Sequence, residues 1–139
     1  MTVLLTGGSG FIGCNFIADW IQSQSEPLVN IDKMTYAGNP AFQQIVPLSE
    51  NHHLVQGDIN DSELVESVLE KHKPRAVIHF AAETHVDRSI VSPESFIRTN
   101  VVGTFNLMET TRCYLSKTPE ATEGFKFIHV STDEVYGSL

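Results

Sequence analysis

The run Ser131-Thr132-Asp133-Glu134-Val135-Tyr136-Gly137 sets two adjacent carboxylates beside a hydroxyl. Two neighbouring acids cannot both be core, and their plain alternative is a solvated turn. In a closed pocket such a pair can be driven to different protonation states, one a general acid and the other a base. A Thr132 hydroxyl beside them could hold a sugar alcohol. Near the start of the chain, Thr6-Gly7-Gly8-Ser9-Gly10-Phe11-Ile12-Gly13 satisfies GxGxxG as Gly8, Gly10, Gly13 and GxxGxxG as Gly7, Gly10, Gly13. A pyrophosphate needs a bare backbone to approach and free helix N–H groups to neutralise its charge. A tight turn made for packing alone would look similar, but these glycines stand between a strand-like and a helix-like run, the context of a dinucleotide site.

Asp32, 19 residues after Gly13, can accept hydrogen bonds from both adenosine ribose hydroxyls. It would repel a 2′-phosphate, which favours NAD over NADP, although adjacent Lys33 weakens that discrimination; its alternative is a loop carboxylate in solvent. Asp58 is suited either to an adenine amino group or to the start of a helix. Ala81 and Ala82 are small where a cofactor would need room, though small residues also simply pack.

These residues require strands to carry them. Thr2–Thr6, Leu28–Asp32, His53–Gln56, Ala76–Phe80 and Lys126–Val130 read as five buried-type strands. Between them, Phe11 to about Ser23 has helical spacing, and Asn60 or Asp61 can cap a helix from Ser62 to His72 that Pro74 ends. Lys33 to Glu50 reads as a long loop with one short helix. Ser92-Pro93 opens a long helix whose apolar stripe runs Ile97, Val101, Phe105, Met108, Leu115, with Phe96, Val102 and Leu107 off it. Gly103 within it costs roughly 1 kcal/mol relative to Ala unless something packs closely there. Strands alternating with helices predict a doubly wound α/β domain of Rossmann type, a parallel sheet with helices on both faces and ligands beyond the strands' carboxyl ends.

The 139 residues match one domain, and 41% hydrophobic with 19% charged residues argues against disorder. A net charge of −8 repels a phosphate backbone, so nucleic acid is not an expected partner. No apolar run reaches membrane-spanning length and no secretory signal opens the chain, so no membrane partner is expected. Cys14 and Cys113, without CxxC spacing, read as reduced thiols of a cytoplasmic protein. Cys14 reads as a small packing residue at a helix start. The six histidines show no metal spacing, and no metal is expected.

Taken together, Thr6 to Gly13, Ile31 to Asn39, Ala81 to Ser89, Thr99 to Thr104 and Ser131 to Gly137 resemble the dTDP-glucose 4,6-dehydratase family of the extended short-chain dehydrogenase superfamily. The Thr132-Asp133-Glu134 triplet is the specific part, since related epimerases usually carry small or hydroxylated residues in place of the acid pair. The resemblance implies a redox-neutral dehydration in nucleotide-sugar metabolism. NAD⁺ takes hydride from C4 of the glucose, Glu134 removes the acidified C5 proton, Asp133 protonates the departing C6 hydroxyl, and hydride returns to C6. It further implies that Thr132 hydrogen-bonds the 4-hydroxyl and that Thr84 and Asp133 contact the substrate. As NAD contacts it implies Gly7, Gly10, Phe11, Ile12, Gly13, Asp32, Lys33, Met34, Thr35, Asp58, Ile59, Phe80, Ala81, Ala82 and Thr99. Homodimer pairing through the long helix is implied as well.

The superfamily's oxidation base is a Tyr with Lys four residues later. Tyr36, Tyr114 and Tyr136 have no such Lys. The expectation is therefore a partial NAD-binding domain over residues 1–139, ending after the fifth strand, without the substrate-binding portion and inactive alone. Another nucleotide-sugar dehydratase or epimerase of the superfamily, or a non-catalytic NAD-binding module, are the alternatives.

Overall fold

Val3-Leu4-Leu5-Thr6 is an uninterrupted buried run, and in an extended chain its successive side chains face opposite sides. Val3 and Leu5 join Leu28, Ile78 and, from a helix, Cys14 and Ile17. Leu4 points the other way, into a cluster with Val29, Ile31, Val77, Val65, Leu69, Leu107 and Tyr114. This strand thus needs cover on both sides, the requirement that organises the molecule. The computed structural model describes residues 1–35, 46 and 49–137.

Its strands are β1 (Val3–Thr6), β2 (Leu28–Asp32), β3 (His52–Gln56), β4 (Ala76–His79) and β5 (Lys126–His129). All pair in parallel in the order β3-β2-β1-β4-β5. Every strand therefore ends at the same edge of the sheet, and the order reverses between β1 and β4, the position at which open sheets of this kind bind ligands. Helix α1 (Phe11–Ser23) covers one face; α2 (Ser62–His72) and α5 (Thr104–Lys117) pack together on the other. The doubly wound α/β expectation holds. Two of the strands are not of buried type, however. β3 and β5 are the edges, largely exposed, because each has a neighbour on one side only.

Asp61 caps α2 as expected, its Oδ1 accepting the Leu64 N–H at 3.0 Å, and Lys73 ends the helix in the left-handed region at φ 44°. The short helix expected between Lys33 and Glu50 falls mostly on residues outside those described, as do Tyr36 to Asn39.

The long helix from Pro93 needs correction. A short helix α3 (Val86–Val91) precedes it, and the helix itself is divided into α4 (Pro93–Phe96), a π-helical segment Ile97–Gly103, and α5. The apolar stripe is split: Ile97, Val101, Phe105 and Met108 are exposed, while Leu115 packs against the core. The buried residues are Gly103, Thr104, Leu107, Thr111 and Tyr114. Apolar periodicity identifies a face without saying which way it points. Close approach decided the matter, since a Cβ on Gly103 would lie 2.8 Å from Ile59 Cδ1. Glycine lets this turn of helix approach the loop after β3 without displacing the Ile59 side chain, and Leu107 fills the core, worth ~1.5–3 kcal/mol of burial.

Candidate functional site at the carboxyl edge of the sheet

β1 ends at Thr6 and the chain reverses through the glycines. Gly7 has φ +73° and donates its N–H to Ile31 O at 3.0 Å. A Cβ there would lie 2.5 Å from both Cα and N of Ala81, so the turn is pressed against the start of the loop after β4. A Cβ on Gly13 would collide with Gly7 O, so α1 is seated directly on the turn. The protein's own packing therefore demands glycine at both positions. Gly10 is different: among the described residues its Cβ would meet only Gly7 O, at 3.4 Å, and its backbone is extended (φ −73°, ψ 173°), open to any residue. Contacts among the described residues therefore do not require glycine at position 10.

The N–H groups divide in the same way. Gly8 donates to Asn30 Oδ1 at 2.9 Å and Ser9 to Asp32 Oδ2 at 2.8 Å, both acceptors on β2. Gly10 donates to Gly7 O at 3.2 Å, and Cys14 to Gly10 O at 2.9 Å. The first N–H groups of α1, from Phe11 to Gly13, precede any intrahelical acceptor, and no side chain caps the helix. They and the helix dipole favour an anion over Gly10. Phe11 and Ile12 are exposed beside this space.

Asp32 closes β2 half-buried, its other oxygen accepting the Met34 N–H at 2.7 Å. Met34, at φ 57°, accepts the Ser9 hydroxyl on its sulfur. Lys33 turns away to Asp58, Nζ to Oδ2 2.7 Å. Partial burial pushes the Asp58 carboxyl up, but the Lys33 ammonium and two hydrogen bonds from Asn60 outweigh it and hold it below the usual carboxylate range. Lys33 is thus paired with Asp58 rather than Asp32. Thr35 and Thr99 are half-buried and Ile59 is buried.

After β4, Phe80 and Ala81 are half-buried, while Ala82 and Thr84 are exposed. Asn100, from the π-helical segment, grips this loop with both ends of its amide, accepting the Glu83 N–H (2.8 Å) and donating to Glu83 O (2.9 Å). Asn106 donates to Ile59 O at 2.6 Å and so ties α5 to the loop after β3. Below them His79 is 2% exposed. Its ring nitrogens lie 2.6 Å from Thr6 Oγ1 and 2.9 Å from Thr104 Oγ1.

Beyond β5, Asp133–Tyr136 form a single 3₁₀ turn. Thr132 donates its hydroxyl to Asp133 Oδ1 at 3.2 Å, and Asp133 is exposed. The acid pair therefore leaves the sheet at the same edge as the glycine turn, with only β4 between their strands. The sequence pattern brought these groups to one edge, but Asn30, His79, Asn100 and Asn106 were not singled out. A signal existed for Asn30 and His79: each is a polar residue inside an apolar strand run, and buried polar groups must be paired. Among the described residues no cluster suited to a metal ion occurs, and no helix is long and apolar enough to cross a membrane.

A doubly wound parallel sheet with a glycine turn at its switch point defines a Rossmann-type domain. The model of the GDP-mannose 4,6-dehydratase family matches residues 4–139, and the chain belongs to that family. A dTDP-glucose 4,6-dehydratase from Xanthomonas campestris pv. campestris (strain B100) is 50% identical over 139 residues, covering 99% of this chain and 39% of that protein. The crystal structure of a dTDP-glucose 4,6-dehydratase from Streptomyces venezuelae with NAD bound is 39% identical with TM-score 0.81, covering 100% of this chain and 42% of that one. A UDP-glucose 4-epimerase from Brucella ovis in complex with NAD is 33% identical with TM-score 0.77, covering 99% and 37%. The chain thus spans 39% of the length of the curated relatives it matches.

Proposed function

We propose that this chain supplies the NAD-binding and acid–base half of a cytoplasmic dTDP-glucose 4,6-dehydratase. The observation that carries the reading is the shared edge: the ligand-accepting turn at Gly10 and the Asp133-Glu134 turn flank the end of β4. The likeness to dTDP-glucose 4,6-dehydratases along the whole chain supports it.

NAD fits the cradle. The N–H groups of Phe11 and Ile12 would hold its pyrophosphate over Gly10, Asp32 its adenosine ribose, and Asp58 with Ile59 its adenine. When bound, it supplies a hydride acceptor for C4 of the sugar and the same hydride for C6. Met34, Thr35, Phe80, Ala81, Ala82 and Thr99 would line the remainder, and Thr84 would meet the substrate. Thr132 would hold the 4-hydroxyl. Once C4 is a ketone, the C5 proton is acidic enough for Glu134 to take it, and the electrons left behind expel the C6 hydroxyl as Asp133 protonates it. The water formed carries Asp133's proton; when hydride is added at C6, C5 takes a proton back from Glu134, and Asp133 regains its own from solvent. A sugar nucleotide lying over this edge would itself cover Asp133. The exposed apolar face of Ile97, Val101, Phe105 and Met108 supports pairing with a second copy.

Within the 139 residues no tyrosine has a lysine four positions later, so the first oxidation lacks its usual base. The test therefore enters after that step. With NAD and pre-formed dTDP-4-keto-glucose in D₂O, the chain should exchange the C5 hydrogen for deuterium, and Glu134→Gln should not. With dTDP-glucose and NAD⁺ it should release no dehydrated product. Equal exchange by the two proteins would overturn the role of Glu134; a 4-keto-6-deoxy product from dTDP-glucose would overturn the need for a separate base.

A further inference from the structure

The geometry points to Asn30 as a positioning residue that holds the glycine turn in its dinucleotide-accepting shape, a role that leaves Asp32 free to serve the ribose. The inference rests on the dinucleotide reading above.

Residues 30 and 32 lie on the same face of β2, and that face meets the turn. They take consecutive N–H groups: Asn30 the one on Gly8, Asp32 the one on Ser9. The two holds are not equivalent. Asp32 is half-buried and its carboxylate is already divided between Ser9 and Met34, so a ribose would compete for its oxygens. Asn30 is fully buried, out of any ligand's reach, and its contact with Gly8 can persist while Asp32 is engaged. A Cβ on Gly8 would lie 2.5 Å from Asn30 Cγ, so the amide and the turn are in close packing contact.

The choice of side chain carries the argument further. Asn30 Nδ2 is buried with no hydrogen-bond partner among the described residues, an arrangement that costs stability. A residue chosen for the fold alone would be aliphatic, like Leu28, Val29 and Ile31 around it, but would then strand the Gly8 N–H. An aspartate would accept that N–H but bring a second buried carboxylate beside Asp32 and close to the place of an incoming pyrophosphate. Asparagine alone among these offers a neutral acceptor. A polar residue that breaks the local burial rule is expected where function demands it.

The test measures NAD affinity by calorimetry and Gly8 amide exchange by NMR, at a temperature where every variant is folded. Asn30→Leu removes the acceptor on the same branched heavy-atom skeleton, with bulkier methyls, and Asn30→Ala does so without risk of overpacking if the first variant does not fold. Leu28→Ala, on the same strand but away from the turn, controls for lost stability. The expected result is about a tenfold loss of NAD affinity, as when one buried N–H is left unpaired, with Gly8 protection lost. Leu28→Ala should keep both within about twofold at that temperature. NAD binding by either Asn30 variant within twofold of the parent, or an equal loss in Leu28→Ala, overturns the inference while the dinucleotide reading stands. Failure of the parent chain to bind NAD overturns both.

Discussion

Protonating His79 should unfasten the sheet from α5. The ring sits with both nitrogens on hydroxyls, Thr6 of β1 and Thr104 of α5, and the His129 ring of β5 stands edge-on at 5.0 Å. Burial foremost, then the neighbouring His129, push its pKa from 6.5 down to about 4. The unfolded chain therefore takes up the proton near 6.5 and the folded chain only near 4. Between those values the unfolded state holds more protons, so stability rises with pH; it is fully present above 6.5 and drains away as pH falls toward about 4. From pH 7 to pH 4.5 the loss from this one group is roughly 2.5 kcal/mol. His52 and His72, also depressed by burial, add to it with the same sign. Urea unfolding followed by the fluorescence of Trp20, the single tryptophan, reads this directly. His79→Leu should be less stable at pH 7, with two hydroxyls losing their partner, but its stability should fall by about 2.5 kcal/mol less between the two pH values. Parallel pH profiles for the two proteins would refute the reasoning.

Two further substitutions follow from the packing. Gly7→Ala forces a side chain into the left-handed region and onto the Ala81 backbone, and should cost about 3 kcal/mol or more in the same unfolding assay. Tyr114→Phe should be neutral or stabilising by up to ~1 kcal/mol, because the Tyr114 hydroxyl is buried with no hydrogen-bond partner among the described residues; a loss beyond that size would show that the hydroxyl is satisfied.

What could be read from residue types was what local physics dictates. Five apolar runs interrupted by helical periods left little choice but a parallel sheet, and Asp61 announced its helix because a short acceptor before an apolar stripe caps the first turn. The glycine turn and Asp32 were visible for the same reason: their spacing is set by one strand, one turn and one helix. The long helix shows where local pattern stops. Ile97, Val101, Phe105 and Met108 form as good an apolar stripe as Leu107, Thr111 and Tyr114, and the choice between them lay in a tertiary contact, Gly103 against Ile59. Likewise Asn30, His79, Asn100 and Asn106 act through partners 22, 73, 17 and 47 positions away, which no local window contains.

Gly10 separates the two meanings of the glycine pattern, and NAD⁺ titration of the parent chain and of Gly10→Ala, with melting temperature recorded for both, is the most direct measurement. A methyl at Gly10 meets no atom of the described residues closer than 3.4 Å, so the variant should lose no more than the ~1 kcal/mol that alanine costs at a helix N-cap. It should nevertheless bind NAD⁺ at least about tenfold more weakly, because the methyl would occupy the place proposed for the pyrophosphate. A parent chain that binds no NAD⁺, or a Gly10→Ala chain that binds it as well as the parent, would contradict the assignment.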